Sequence, residues 1–181
     1  MVRQPFQYCP YCATPLQDRQ FGAKTLRSCP ACRFVQHHDP KVAVVARIEH
    51  GDCLLLVQRG VNPGKGLWAL PGGYMDAGEM PVAALHREIA EELDLAVEVH
   101  ELLAMYPMVN HDQPSQGFVL VYRATPAGEG CSTTVGPAAY DDVAAARWFS
   151  RRELAGDLPV PLAFVSTETE VRHWVAGLQA V

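Results

Sequence analysis

Two cysteine pairs near the start of the chain restrict its folding more than any other feature. Cys9-Pro-Tyr-Cys12 and Cys29-Pro-Ala-Cys32 each set two thiols on a tight turn, with sixteen residues between the pairs. Fewer than about 40 residues rarely bury enough surface to fold alone. This segment therefore needs a cross-link. Two disulfides and four unconnected thiols are the alternatives. The paired spacing instead falls in the range of four-cysteine zinc sites, and Zn²⁺ takes four thiolates in a tetrahedron. A structural zinc contributes on the order of 10 kcal/mol to folding. Residues 1–36 are therefore expected to form a small zinc ribbon with Cys9, Cys12, Cys29 and Cys32 as ligands. Four protein ligands close such a site, so its role is structural. Cys53 lies in an apolar run and Cys131 in a Gly/Ser/Thr stretch; both read as plain small residues.

The sequence "HHDPK", His37 to Lys41, reads as a join, because Pro40 disfavours helix there. His37 and His38 are read as linker residues, the cysteines having completed a site. From residue 37 to 181 an α/β domain is expected. "VAVVARIE" and "CLLLVQR" are β-rich runs joined by "HGD", a hairpin signal. A turn-rich stretch follows, then a helix from about Met80 to Leu93, with Pro81 in its first turn. Val82, Leu85, Ile89 and Leu93 form its apolar stripe. Three further strands are expected, in "VEVHELLAMYPMV", "GFVLVYRAT" and "VAAARWF". Ser150 with Glu153, and Thr167 with Glu170, look like capping boxes opening two late helices. The last helix would bury Val171, Trp174, Val175 and Leu178.

The net charge of −5 argues against a dedicated nucleic-acid binder, which normally carries a basic patch. No apolar run approaches the roughly 18 residues of a membrane span. The first residues lack the apolar core of a signal peptide. A cytoplasmic protein is expected.

The helix from Met80 ends in an unusual concentration of acid. Glu88, Glu91 and Glu92 stand at i, i+3 and i+4, on one face. Two carboxylates about 5.5 Å apart repel by roughly 0.8 kcal/mol in water and by about 3 kcal/mol at an effective dielectric of 20. The negative end of the helix dipole adds to this. A solvated acidic surface tolerates the repulsion. A cleft does not, unless a cation is present, and hard carboxylate oxygens suit Mg²⁺ or Mn²⁺.

The residues upstream decide between surface and cleft. Gly73, five residues, Glu79, seven residues, then Arg87-Glu88-Ile89-Ala90-Glu91-Glu92-Leu93-Asp94-Leu95 resembles the Nudix box. The one departure is Asp94, where the family has Gly. Asp tolerates the left-handed helix stop that a Gly provides, at some cost. The resemblance implies a Nudix α/β/α sandwich with a mixed sheet and hydrolysis of a nucleoside diphosphate linked to another group. By position it implies that Glu88, Glu91, Glu92 and the Gly72 carbonyl hold Mg²⁺ or Mn²⁺. Arg87 would pair with a carboxylate such as Glu79 and orient the loop. Arg59 is a candidate phosphate contact. Asp142 matches the place where related proteins supply a later acidic residue, with Asp141 as its competitor and Asp112 as a weaker one.

The chain resembles zinc-ribbon Nudix hydrolases grouped with ADP-ribose and FAD pyrophosphatases. The resemblance to NADH pyrophosphatases is more distant, since "MYPMVNHDQPSQGF" stands where that family has its Ser-Gln-Pro-Trp-Pro-Phe-Pro-x-Ser stretch. The expected substrate is thus a small nucleotide: ADP-ribose, FAD or a similar dinucleotide. Two other readings stay open: a house-cleaning nucleoside triphosphate pyrophosphatase, and a ligand-sensing or nucleic-acid-binding Nudix module. Trp68 and Tyr106, with Tyr74, Phe118 and Phe164, are candidates to stack on a base, against core packing as the alternative. Nudix relatives are often homodimers, so a homodimer is a possible assembly.

Overall fold

The computed structural model describes residues 6–37, 39–110, 113–127 and 142–177. His38, Asp112, Cys131, Asp141 and Leu178 lie outside the described residues. The chain divides into two compact units, Met1–Asp39 and Pro40–Val181.

The first unit is built on a hairpin. β1 (Gln17–Phe21) pairs antiparallel with β2 (Lys24–Ser28), Gln17 opposite Ser28 and Phe21 opposite Lys24. Gly22 takes a positive φ of 58° in the turn between them, a conformation that glycine adopts without steric penalty. The interior of this unit is very small. Among the described residues, Cys9, Leu16 and Cys29 are its buried apolar groups, with Cys32 and Phe34 packed against them. So little apolar area cannot offset the chain entropy of ordering the segment, which leaves the thiols as its organising groups.

The second unit is arranged around β3 (Lys41–His50). Along most of its length β3 runs parallel to β8 (Gln113–Pro126), which in turn pairs antiparallel with β7 (Val97–Asn110). Near its start β3 pairs with β6 (Gly72–Tyr74), and at its end with β4 (Cys53–Arg59). β4 carries β5 (Trp68–Ala69) and β9 (Val143–Ser150) as further antiparallel partners. The sheet is therefore mixed.

Strand alternation sends residues to two faces. Val44, Ala46, Ile48, Leu55 and Val57 pack with Ala84, Leu85, Ile89 and Leu93 of α1 (Pro81–Leu93). Leu54, Leu56, Val121 and Phe149 pack on the other side with Leu154 of α2 (Arg151–Leu154) and with Val171 and Trp174 of α3 (Val165–Val175). Each fully buried Leu or Ile stabilises by roughly 1.5–3 kcal/mol. The result is an α/β/α sandwich. Among the described residues no helix is long and apolar enough to cross a membrane.

Two expectations need correction. Val82 belongs to no apolar stripe; it is exposed, and Ala84 fills the buried position instead. The step from Val82 to Leu85 is three residues, but the core-facing stripe runs Leu85, Ile89, Leu93, with Ala84 beside it. Thr167 and Glu170 form no capping box. α3 begins at Val165 with Phe164 as its N-cap, so both residues lie inside the helix and are buried. The buried Glu170 instead accepts from the Arg47 guanidinium at 3.3 Å and from the Tyr106 hydroxyl at 2.6 Å. The other capping box is present, with the Ser150 side chain and backbone N–H both bonded to Glu153.

Candidate active site

The helix that carries the carboxylates starts without a side-chain cap. Pro81 occupies its first turn, where a missing N–H is harmless. It stops at Asp94, which takes the left-handed conformation at φ 48°, ψ 38° and returns its N–H to the Ala90 carbonyl. No basic residue lies in the last turn to offset the negative end of the helix dipole; Arg87, further up the helix, bonds Glu88 and Glu91.

β6 and α1 meet where glycine is required. At Gly72, φ is 131°, and a Cβ would stand 2.2 Å from the Val44 carbonyl oxygen. At Gly73, a Cβ would stand 2.4 Å from Glu88 Oε2. The Glu88 carboxylate therefore occupies the space that any side chain at 73 would fill. In the sequence Gly73 is only the first letter of a motif. Its physical reason is this close approach, signalled by the Gly-Gly pair after Pro71.

The three glutamates differ in setting. Glu92 is 9% exposed and accepts from the Gly72 N–H at 2.8 Å. Burial pushes its carboxyl up to about 8; the Gly72 hydrogen bond opposes this, Glu88 and Asp142 add to it, and Arg59 opposes it. Burial also raises the Glu88 carboxyl, against the pull of Arg87. Glu91 is largely exposed.

Arg87 joins the loop to the helix. Its Nε and Nη2 grip the two oxygens of Glu79 at 3.0 and 2.9 Å. Nη2 also reaches the Tyr74 carbonyl at 3.2 Å. Nη1 donates to Glu88 at 2.9 Å and Glu91 at 3.1 Å. Glu79 is held below the usual carboxylate range, chiefly by Arg87 and also by the Asp76 N–H.

Other candidates are distributed as follows. Asp142 lies beside Glu92 in electrostatic reach, and its carbonyl accepts the Gly60 N–H at 2.6 Å. Arg59 is in reach of Glu92 too, but its Nε donates to the Pro63 carbonyl at 2.7 Å and its guanidinium lies over Phe164. Trp68 and Tyr106 pack against the core cluster on the α3 side of the sheet. Trp68 meets Phe149 edge-on at 5.1 Å, and Tyr106 is bonded to Glu170. The exposed Tyr74 ring, next to Gly73, is covered by Lys41 Nζ at 4.4 Å.

The cysteines form a separate centre. Cys9 and Cys32 sulfurs are 3.5 Å apart, as are Cys12 and Cys29; Cys12 and Cys32 are 3.7 Å apart. The edge of a tetrahedron with metal–sulfur bonds of about 2.3 Å is about 3.8 Å, whereas a disulfide would require about 2.05 Å. All four sulfurs lie within 4.8 Å of one another, and among the described residues this is the one such convergent group of three or more potential ligands. The Thr14 hydroxyl and backbone hold the Cys12 thiol down to about 6. For Cys32, the Phe34 backbone bond lowers the thiol, but the neighbouring sulfurs and burial together push it up to about 12. Crowded thiols cannot all ionise without a cation.

A mixed sheet between helices, with a glycine loop and a carboxylate helix at one end of its central strand, defines a Nudix domain. The NUDIX domain family matches residues 37–174, and the chain belongs to that family. A Methanocaldococcus jannaschii protein named ADP-ribose pyrophosphatase is 33% identical over 110 residues, covering 61% of this chain and 65% of its own. A mitochondrial NAD(P)H pyrophosphatase of Mus musculus is 33% identical over 92 residues, covering 51% of this chain and 25% of its own. The chain thus spans less than two-thirds of either relative. The crystal structure of a NUDIX hydrolase from Nitrosomonas europaea matches at a TM-score of 0.78 and 24% identity, covering 94% of this chain and 91% of its own. That likeness is one of fold.

Proposed function

We propose that the chain is a metal-dependent pyrophosphohydrolase. Its substrate would be a nucleoside diphosphate linked to another group: ADP-ribose, FAD or a similar dinucleotide. The observation that carries this reading is the buried Glu92 carboxylate, held against the Gly72 N–H and in the field of Glu88. A carboxyl raised to about 8 by burial is poised to gain from a nearby cation. The donor set is all oxygen, which fits Mg²⁺ or Mn²⁺. Glu88, Glu91, Glu92 and the Gly72 carbonyl would hold it. When bound, such an ion neutralises diphosphate oxygens and acidifies a water.

The chain's own residues would supply the rest. Gly73 makes room for Glu88, and Arg87 fixes the loop through Glu79 and Tyr74. Arg59, already in the field of Glu92, would meet a substrate phosphate by turning from the Pro63 carbonyl. Asp142 would serve as an added acidic group next to Glu92. The archaeal relative's name supports ADP-ribose as the first substrate to test. In the first unit, Cys9, Cys12, Cys29 and Cys32 would hold one structural Zn²⁺.

The test is a nucleotide panel with Mg²⁺ or Mn²⁺, read by mass spectrometry in ¹⁸O-labelled water. ADP-ribose is expected to give AMP and ribose 5-phosphate, and FAD to give AMP and FMN, with label in one phosphate product. Activity that survives complete removal of divalent metal, or label in a non-phosphate fragment, would sink the reading.

A further inference from the structure

Arg87 spends every one of its N–H donors on the site. A guanidinium has five: Nε goes to Glu79, the two on Nη2 to Glu79 and the Tyr74 carbonyl, and the two on Nη1 to Glu88 and Glu91. These contacts fall into two unlike halves. The Nε/Nη2 half is a bidentate fork onto one carboxylate, the most directional pairing a guanidinium makes. Glu79 is itself tied into its turn by the Asp76 N–H at 3.1 Å. The Nη1 half makes single contacts to two different carboxylates, and both belong to the set assigned to metal.

We propose that Arg87 is the site's built-in counter-cation. It occupies Glu88 and Glu91 through Nη1 while no divalent ion is bound, and it gives up those two contacts when the ion loads. The fork onto Glu79 and the Tyr74 carbonyl stays in place as a pivot. This rests on the metal reading above. Two features make the exchange physically reasonable. Without Arg87, three carboxylates at positions 79, 88 and 91 would repel one another across a few ångströms. With it, a +2 ion must enter beside a fixed +1 charge and compete for the same oxygens. Arg87 therefore keeps the empty site ordered and makes metal binding weaker than the carboxylates alone would give. Glu91, more than half exposed, is free to swing, whereas Glu88 is seated against Gly73.

The experiment uses the full chain. Mn²⁺ affinity is measured by electron paramagnetic resonance for wild type, Arg87→Gln and Arg87→Lys, with circular dichroism confirming each fold. Arg87→Gln removes the charge and is expected to bind Mn²⁺ at least about tenfold tighter. It should also melt lower without metal and recover more of its melting temperature on saturation. Arg87→Lys keeps the charge and should stay within about threefold of wild type. A folded Arg87→Gln that binds Mn²⁺ more weakly, or equally, overturns the proposal, because a purely scaffolding arginine predicts that result. A second readout needs no variant. In ¹⁵N-labelled wild type, saturating Mg²⁺ should shift the Arg87 Nη1 resonances and leave Nε in place. Demonstrated metal binding with unmoved Nη1 signals also overturns the proposal. Failure of wild type to bind Mn²⁺ at the helix would instead defeat the metal reading itself.

Discussion

The two clusters of ionisable groups in this chain are organised on opposite principles. The four sulfurs already converge, three of their pairs lying 3.5 to 3.7 Å apart, with short turns supplying the geometry. The Cys32 N–H even points at the Cys29 sulfur, at 3.3 Å. The carboxylates are instead held by separate partners: Glu88 and Glu91 by Arg87, Glu92 by the Gly72 N–H. A closed site can be prebuilt by backbone turns, because its ligands need nothing else from solution. On the reading proposed above, an open site must stay hydrated and exchangeable, and these partners would hold its ligands until the ion binds. Different consequences of perturbing each follow from that contrast.

The largest effect is expected in the first unit. Cys29→Ser removes one thiolate from a unit whose buried apolar cluster, among the described residues, is Cys9, Leu16 and Cys29 itself. The loss approaches the roughly 10 kcal/mol that a structural zinc contributes. Two-dimensional NMR should show collapse of the resonances of residues 6–37 with those of the second unit retained, and metal analysis should fall from about one zinc per chain, the stoichiometry of a four-thiolate site. A folded ribbon in the variant would break the comparison at its first term.

Next come Glu88→Gln and Glu92→Gln. Each should lower turnover by about 100-fold or more, the scale of a lost transition-state electrostatic contact, while the melting temperature without metal stays level or rises. That pairing separates a strained functional carboxylate from a structural one. Near-normal turnover in Mg²⁺ would remove that residue from the site.

Much of this was legible in the sequence because each signal was a local constraint. The strand runs, the α1 span and the Ser150–Glu153 box follow from short-range chemistry, and the observed boundaries agree to within a few residues. The pairing of Arg87 with Glu79 comes from the resemblance to the Nudix box, and the two side chains do meet. What escaped was long-range. Nothing near Glu170 announces that its partners are Arg47, 123 residues away, and Tyr106; locally it resembles a capping glutamate. Tyr106 reads as a possible base-stacking ring from composition, yet its hydroxyl is bonded within the α3 side of the fold. Gly73 was legible as a motif letter but its neighbour Glu88 was not, because a close approach is a tertiary fact.

The pH dependence of stability tests the burial of Glu92. Its ordinary value of 4.5 is raised to about 8 in the folded protein. Below pH 4.5 the carboxyl is protonated in both states, and its contribution is fully present. Between those two values the unfolded chain gives up the proton first, so stability falls as pH rises, levelling off near pH 8. Glu88 contributes in the same direction, and Glu79, whose value is lowered, in the opposite one. The fall attributable to Glu92 is on the order of a few kcal/mol. Denaturant unfolding without divalent metal, from pH 5 to 8, should show it in wild type and show a flatter profile in Glu92→Gln. Saturating Mn²⁺ should flatten wild type as well, because the ion favours the ionised carboxylate. Equal slopes in all three would mean that Glu92 is better solvated than its 9% exposure implies.

The smallest effect concerns the one departure from the box pattern. Asp94 closes α1 at φ 48°, a region that costs a residue with a Cβ about 1 kcal/mol relative to glycine. Its negative charge also sits at the negative end of the helix dipole, worth a further few tenths of a kcal/mol at an exposed site. Glycine carries neither penalty but gains backbone freedom in the unfolded chain, which offsets part of the benefit. Asp94→Gly should therefore stabilise the second unit by about 0.5–1 kcal/mol, or roughly 2–4 °C for a domain of this size. Its N–H bond to the Ala90 carbonyl is kept, so the ends of Glu91 and Glu92 should not move, and Mn²⁺ affinity and turnover should stay within about twofold. A stabilised variant with changed metal affinity would show that Asp94 acts on the carboxylate site through its charge. A destabilised one would show that its side chain makes a local contact worth more than the strain.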